Sequence, residues 1–168
     1  MIRFGRRFGV STGFIFDDSD LEDFTLTHHL ISVSIHYNDS NLETYEFVYS
    51  SSLLKENNFL RSAHHGYLYP LRETSPIDED IRISRIEGHQ IYIPVDSRNQ
   101  TKSSIEILNG IRFRSQNGLL TLPYDGPMGN AFVEEFPGYY LGYVRGRTDH
   151  NYIREIQCVW YRDKGSNT

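Results

Sequence analysis

Seven histidines, 22 acidic residues and one cysteine raise metal binding, acid–base catalysis and thiol chemistry as the first candidates. His28-His29 and His64-His65 are adjacent pairs. Neighbouring residues on a strand point to opposite faces, so neither pair can readily chelate one ion. No H-E-x-x-H or H-x-x-x-H spacing occurs. The histidines therefore read as solvent-facing or turn residues, and no metal is expected. Carboxylates cluster as Asp17-Asp18, Asp78-Glu79-Asp80 and Glu134-Glu135. Glycoside hydrolysis needs two carboxyls facing across a cleft, and the last two clusters read instead as solvated loops and strand ends. Asp149-His150 is half of a triad, without a G-x-S-x-G elbow to supply its nucleophile. Gly126 and Gly129 lack the strand-to-helix setting of a phosphate loop. Cys158 alternates with Ile156 and Trp160 and reads as a small buried hydrophobe that forms no internal disulfide. Two sequons, Asn38-Asp39-Ser40 and Asn99-Gln100-Thr101, read as turns. Catalysis is the weaker reading: no enzyme and no cofactor are expected.

The composition points to the elements that must position whatever site exists. Fifteen Ile, 12 Tyr, 10 Phe and 7 Val stand against 2 Ala. Branched and aromatic side chains fit pleated, half-buried strands, whereas alanine favours helix. The 168 residues suit one domain, placed at 1–168, with an all-β core. A net charge of −5 repels phosphate backbones and argues against a nucleic-acid partner. No apolar run approaches the ~20 residues of a membrane helix. Arg3, Arg6 and Arg7 are not followed by the apolar block of a secretory signal, which leaves the cytoplasm or export by a non-classical route.

Period-two alternation marks about ten strands. Ile31, Val33, Ile35 and Tyr37 alternate with polar residues. They run through the turn residues Asn38-Asp39-Ser40-Asn41 into Tyr45, Phe47 and Tyr49, which predicts a hairpin. Segments 81–86 and 90–95 follow, with Glu87-Gly88-His89 as a tight reversal and Pro94 requiring an edge or a bulge. In 104–114, Asn109-Gly110 predicts a bulge or a kink, and Asn117-Gly118 turns into 119–122. Segments 131–136, 139–145 and 152–161 complete the set. The stretch 50–79, rich in serine, asparagine, histidine and proline, reads as a long loop insertion.

The C-terminal half carries the most specific pattern. Ile111-Arg112-Phe113-Arg114-Ser115-Gln116-Asn117 leads to Pro123-Tyr124-Asp125-Gly126-Pro127-Met128-Gly129-Asn130-Ala131-Phe132, and then to an apolar strand closing on Gly142-Tyr143-Val144-Arg145-Gly146-Arg147. Gly13-Phe14-Ile15-Phe16-Asp17-Asp18 and the 31–49 hairpin precede them, with Ser19 where a glycine is usual. Over roughly 9–161 this order of segments resembles the jacalin-related lectins, which bind mannose or galactose.

That resemblance implies a β-prism: three four-stranded Greek-key sheets with pseudo-threefold symmetry, the last strand closing against the first, here with the 50–79 insertion. It implies non-catalytic carbohydrate binding at one end of the prism, without metal, by a protein that gains avidity through self-association. The implied site comprises Gly13 in the first loop and Gly146, Arg147, Asp149, His150, Asn151, Tyr152 and Arg154 around the last. Backbone N–H groups of that loop would donate to sugar hydroxyls, and Tyr152 would pack on the sugar ring. Arg154, however, stands where the family has an aspartate that accepts two hydroxyl bonds, and arginine has no acceptor. The loop is one residue longer than usual, which offers Asp149 as a relocated acceptor. Two readings follow. The first is a lectin for an acidic or larger glycan, with Arg147 or Arg154 pairing its anion. The second is a protein-interaction or targeting module with a degenerate sugar site and 50–79 as its interface. An Asp149 pointing into the pocket favours the first, and an Arg154 paired with Asp149 or Glu155 favours the second.

Overall fold

Alternation along the chain resolves into strands that bury one face and pair antiparallel. The computed structural model describes residues 1–51, 59–95 and 103–162. Strands β1 (Ile2–Gly9), β2 (Phe14–Asp17), β3 (His29–Tyr37), β4 (Glu43–Ser50), β5 (Leu60–Arg61) and β6 (Leu71–Pro76) come first. β7 (Arg85–Val95), β8 (Ser103–Ser115), β9 (Gly118–Leu119), β10 (Asn130–Glu135), β11 (Tyr140–Thr148) and β12 (Ile153–Tyr161) follow. They form three four-stranded sheets, ordered β1-β12-β11-β2, β5-β4-β3-β6 and β10-β7-β8-β9. The second and third share the Greek-key order in which the fourth strand returns beside the first. The first sheet has the same order once β11 and β12 are counted ahead of β1 and β2. The chain therefore begins and ends inside that sheet, with β12 closing against β1. This is the all-β prism implied by the resemblance.

The inner faces meet in one apolar cluster. β3 contributes Leu30, Val33 and Ile35, β4 contributes Tyr45, Phe47 and Tyr49, and β8 contributes Leu108, Ile111 and Phe113. β12, paired on both edges, buries Ile156, Cys158, Val159 and Trp160 together. Cys158 is the buried hydrophobe expected, and burial pushes its thiol pKa well up. A second network ties two sheets through buried charge. The Arg112 guanidinium holds Glu43 in a fork of 2.8 and 2.6 Å. Tyr45 Oη donates to the same carboxylate at 2.7 Å and accepts from the Ile111 N–H.

The expected bulge at Asn109-Gly110 is present, where the β7–β8 register shifts between Glu87 and His89. Pro94 lies beyond the reach of β10, which pairs only with 85–90, so the strand is locally an edge there. Asn38 builds the β3–β4 turn, its Oδ1 accepting from the Ser40 and Leu42 N–H groups. The second sequon lies outside the described residues.

Four expectations are corrected. Glu87-Gly88-His89 is no reversal: β7 runs straight through it, and Gly88 leaves room for the Phe132 ring, which a Cβ there would meet at 2.5 Å. The stretch 50–79, expected as a loop insertion, is largely irregular over its described residues but supplies β5 and β6, both edges of the second sheet. Not every histidine faces solvent or sits in an open turn: His28, His29, His36 and His65 are buried, whereas His150 is exposed as expected. Glu134 is no solvated strand end either. It is buried, accepting from the Trp160 indole at 2.8 Å and the Arg6 N–H at 2.7 Å.

Candidate functional site

Strand direction brings three connections to one end of the prism: 10–13 between β1 and β2, 149–152 between β11 and β12, and 62–70 between β5 and β6. Gly13 has φ +95°, and a Cβ on it would meet the Thr148 carbonyl oxygen at 2.6 Å. A glycine is needed there both for the turn and for the approach of the two loops. The Val10 N–H donates to the Arg154 carbonyl at 2.9 Å. Arg147 Nη1 donates to the Gly13 carbonyl at 3.3 Å, while its Nε is buried without a partner among the described residues. Gly146 lies within β11, buried and paired with Phe16 and Ile156 on its two sides.

The 149–152 loop is closed by its own aspartate. Asp149 Oδ1 accepts from the N–H groups of Asn151 and Tyr152, both at 2.7 Å. Its Oδ2 accepts from Arg154 Nη1 at 3.0 Å, and its own N–H donates to the Tyr152 carbonyl. Three of the roughly four acceptor positions of a carboxylate are thus engaged. Two N–H groups expected to donate outward instead hold the loop. Arg154 Nε donates to the Glu106 carbonyl at 2.9 Å on β8, so the guanidinium bridges the loop to the third sheet with three N–H donors left over.

Aromatic groups surround this loop. The exposed His150 lies 5.4 Å from the Phe14 ring. Tyr152 accepts at its hydroxyl from Tyr69 Oη at 3.0 Å. Burial first, then this bond, pushes the Tyr69 pKa well up. The Tyr67 N–H donates to the Asn151 carbonyl at 2.9 Å, and the Tyr67 and Tyr69 rings stand 5.1 Å apart. Sequence reasoning missed Tyr67, Tyr69 and Glu106. The alternation Tyr67-Leu68-Tyr69 was the available signal for the first two, while Glu106 contributes only a backbone carbonyl and so leaves none. Behind the loops, Asp18 accepts from Tyr49 Oη at 2.6 Å and lies 3.2 Å from His65 Nε2. The Phe16 ring stacks on that imidazole at 3.9 Å. No group of three or more His, Cys, Asp or Glu among the described residues is arranged to hold a metal ion.

This frame matches solved structures throughout its length. Calystegia sepium agglutinin superposes with a TM-score of 0.71 at 16% identity, covering 97% of this chain and 98% of that one. AcmJRL, a mannose-binding jacalin-related lectin from Ananas comosus, gives 0.70 at 12% identity, covering 96% and 99%. Artocarpin, solved in complex with mannotriose, gives 0.70 at 14%, covering 95% and 97%. No family model and no curated protein sequence matches the chain. The architecture is thus a lectin-type β-prism. More narrowly, it is the fold of the jacalin-related lectins, shared here at very low sequence identity.

Proposed function

We propose that residues 1–168 form one non-catalytic, carbohydrate-binding domain, with a saccharide or glycoconjugate held at the loop end of the prism without metal or cofactor. The observation that carries this reading is the meeting of 10–13, 62–70 and 149–152 around two arginines and a hydrogen-bonded tyrosine pair, on a frame shared with lectins. Gly13 and Gly146 set the approach of the loops. Tyr152, His150 and Asn151 form the wall with Tyr69 behind it. Arg147 and Arg154 supply donors.

The pairing of Asp149 with Arg154 bears on the ligand. Asp149 has little acceptor capacity left for hydroxyls, whereas the arginines retain donors. An acidic glycan, bearing a carboxylate or sulfate, suits this balance better than a neutral monosaccharide. The same ion pair also favours the second reading, a protein-recognition module whose sugar site has closed on itself.

A glycan array with the wild-type chain, Asp149→Ala and Arg154→Ala separates the two. Binding to anionic glycans, lost in Arg154→Ala and weakened by added salt, is the expected result. A blank array from folded protein would instead move the assignment to the protein-binding module.

A further inference from the structure

β11 starts at Tyr140 and ends at Thr148 beside the candidate loops, a span of about 26 Å at strand rise. At its starting end lies an open hollow of about 680 Å³. Three connections form it: 77–84 before β7, the turn 116–117 after β8, and 136–139 before β11. Its walls include the half-buried rings of Phe136 and Tyr139, which back onto the apolar core; the Arg3 guanidinium covers one face of Phe136, 3.7 Å from its centroid. Around them stand the exposed side chains of Asp80, Gln116, Asn117 and Glu135.

Three of these four polar groups are available. The side chains of Asp80, Gln116 and Asn117 make no hydrogen bond or ion pair among the described residues. Glu135 is more than half exposed and only 3.8 Å from Arg85 Nη1. An apolar ligand would strip water from two carboxylates without replacing it. The exposed Arg82 also lines the hollow, its Nη1 donating to the Glu79 carbonyl at 2.6 Å, so a phosphate or carboxylate would meet one cation against two carboxylates. A sugar hydroxyl donates and accepts at once. It therefore needs carboxylate and amide oxygens as well as amide N–H groups, with an aromatic face for its C–H side. The loop end has spent its carboxylate on Arg154; here Asp80 remains unpaired among the described residues, although Glu135 pairs with Arg85.

We propose that the hollow bounded by Phe136, Tyr139, Asp80, Glu135, Gln116 and Asn117 is a second saccharide-binding site, for a neutral sugar unit, at the end of the prism opposite the candidate loops. It goes beyond the function proposed above and stands whether or not the loop end binds a glycan.

The test is heteronuclear NMR on the full chain, titrated separately with mannotriose, chitobiose and maltotriose to about 20 mM, well above a millimolar Kd. At least one probe should give saturable shifts at amides of 80–84, 116–117 and 138–140. Asp80→Asn should raise its Kd tenfold or more, and Tyr139→Ala should do the same, while Arg154→Ala leaves it unchanged. Asp80 is exposed and the asparagine is isosteric, so this variant tests binding even if Tyr139→Ala folds poorly. Shifts confined to 147–154, an affinity untouched by Asp80→Asn, or no saturable shift with any of the three probes would each overturn the site. A blank array for the loop end alongside positive shifts here would sink only the earlier reading.

Discussion

Asp149 and Arg154 flank a tight loop, and each satisfies the other across it. The carboxylate also carries two backbone N–H groups, so its removal acts on the loop before it acts on any ligand. Asp149→Ala is expected to cost about 1 kcal/mol and to speed amide exchange at Asn151 and Tyr152. Unchanged exchange at those two amides would refute this account of the loop. The buried pair behaves differently. Glu43 and Arg112 are each about 5% exposed, and removing one partner strands the other in the interior. Arg112→Ala should therefore cost about 3–5 kcal/mol by urea unfolding, whereas cutting the exposed pair Arg61–Glu46 should change stability by less than about 1 kcal/mol. Similar losses from the two would contradict the roles assigned to them.

At the scale of elements, the second sheet is where pH should act. Burial pushes His28 and His29 below the ordinary histidine range, with Arg82 adding to the effect at His29. His64 is lowered by burial and then by His36. Each group binds a proton more weakly folded than unfolded. The unfolded chain therefore takes up more protons once the pH falls below the usual value of about 6.5. The stability these groups contribute is complete above that value and lost as the pH drops toward their lowered folded values. The midpoint of urea denaturation should fall between pH 7 and pH 5, and replacing His28, His29 and His64 with glutamine should flatten the slope. A flat profile in the wild type would dispose of the idea. β5 and β6 are edges of this same sheet, and their amides should exchange first under acid.

The whole molecule depends on a closure between its ends. β12 pairs with β1 on one side and β11 on the other, and its Trp160 reaches through to Glu134 on β10. Deleting 1–9 removes one partner of the most buried strand, so the truncated chain should lose its cooperative thermal transition. A melt as sharp as that of the full chain would show that the first sheet stands without β1. Trp160→Phe keeps a ring but orphans a buried carboxylate oxygen, and should cost about 3 kcal/mol.

Local pattern carried much of this architecture. The hairpin of β3 and β4, the long β8 with its bulge, and β12 with Cys158 inside it all follow from apolar residues recurring every second position beside turn-forming residues. Those signals are local because one buried face imposes its period on the strand. β1, β5 and β6 gave no such signal. β1 and β6 are mostly exposed along their length and β5 has only two residues, so sheet partners distant in the chain, not a buried face, make them strands. Gly88 was misread for a related reason: its role is to admit Phe132, 44 positions away. The candidate site divides in the same way. The residue types of the last loop, including the arginine in place of the usual acceptor, could be read in order along the chain. That Asp149 closes on Arg154, that Tyr69 comes to Tyr152, and that a hollow with an unpaired Asp80 opens at the far end were decided only by the tertiary structure, because each depends on which groups distant segments bring within hydrogen-bonding reach.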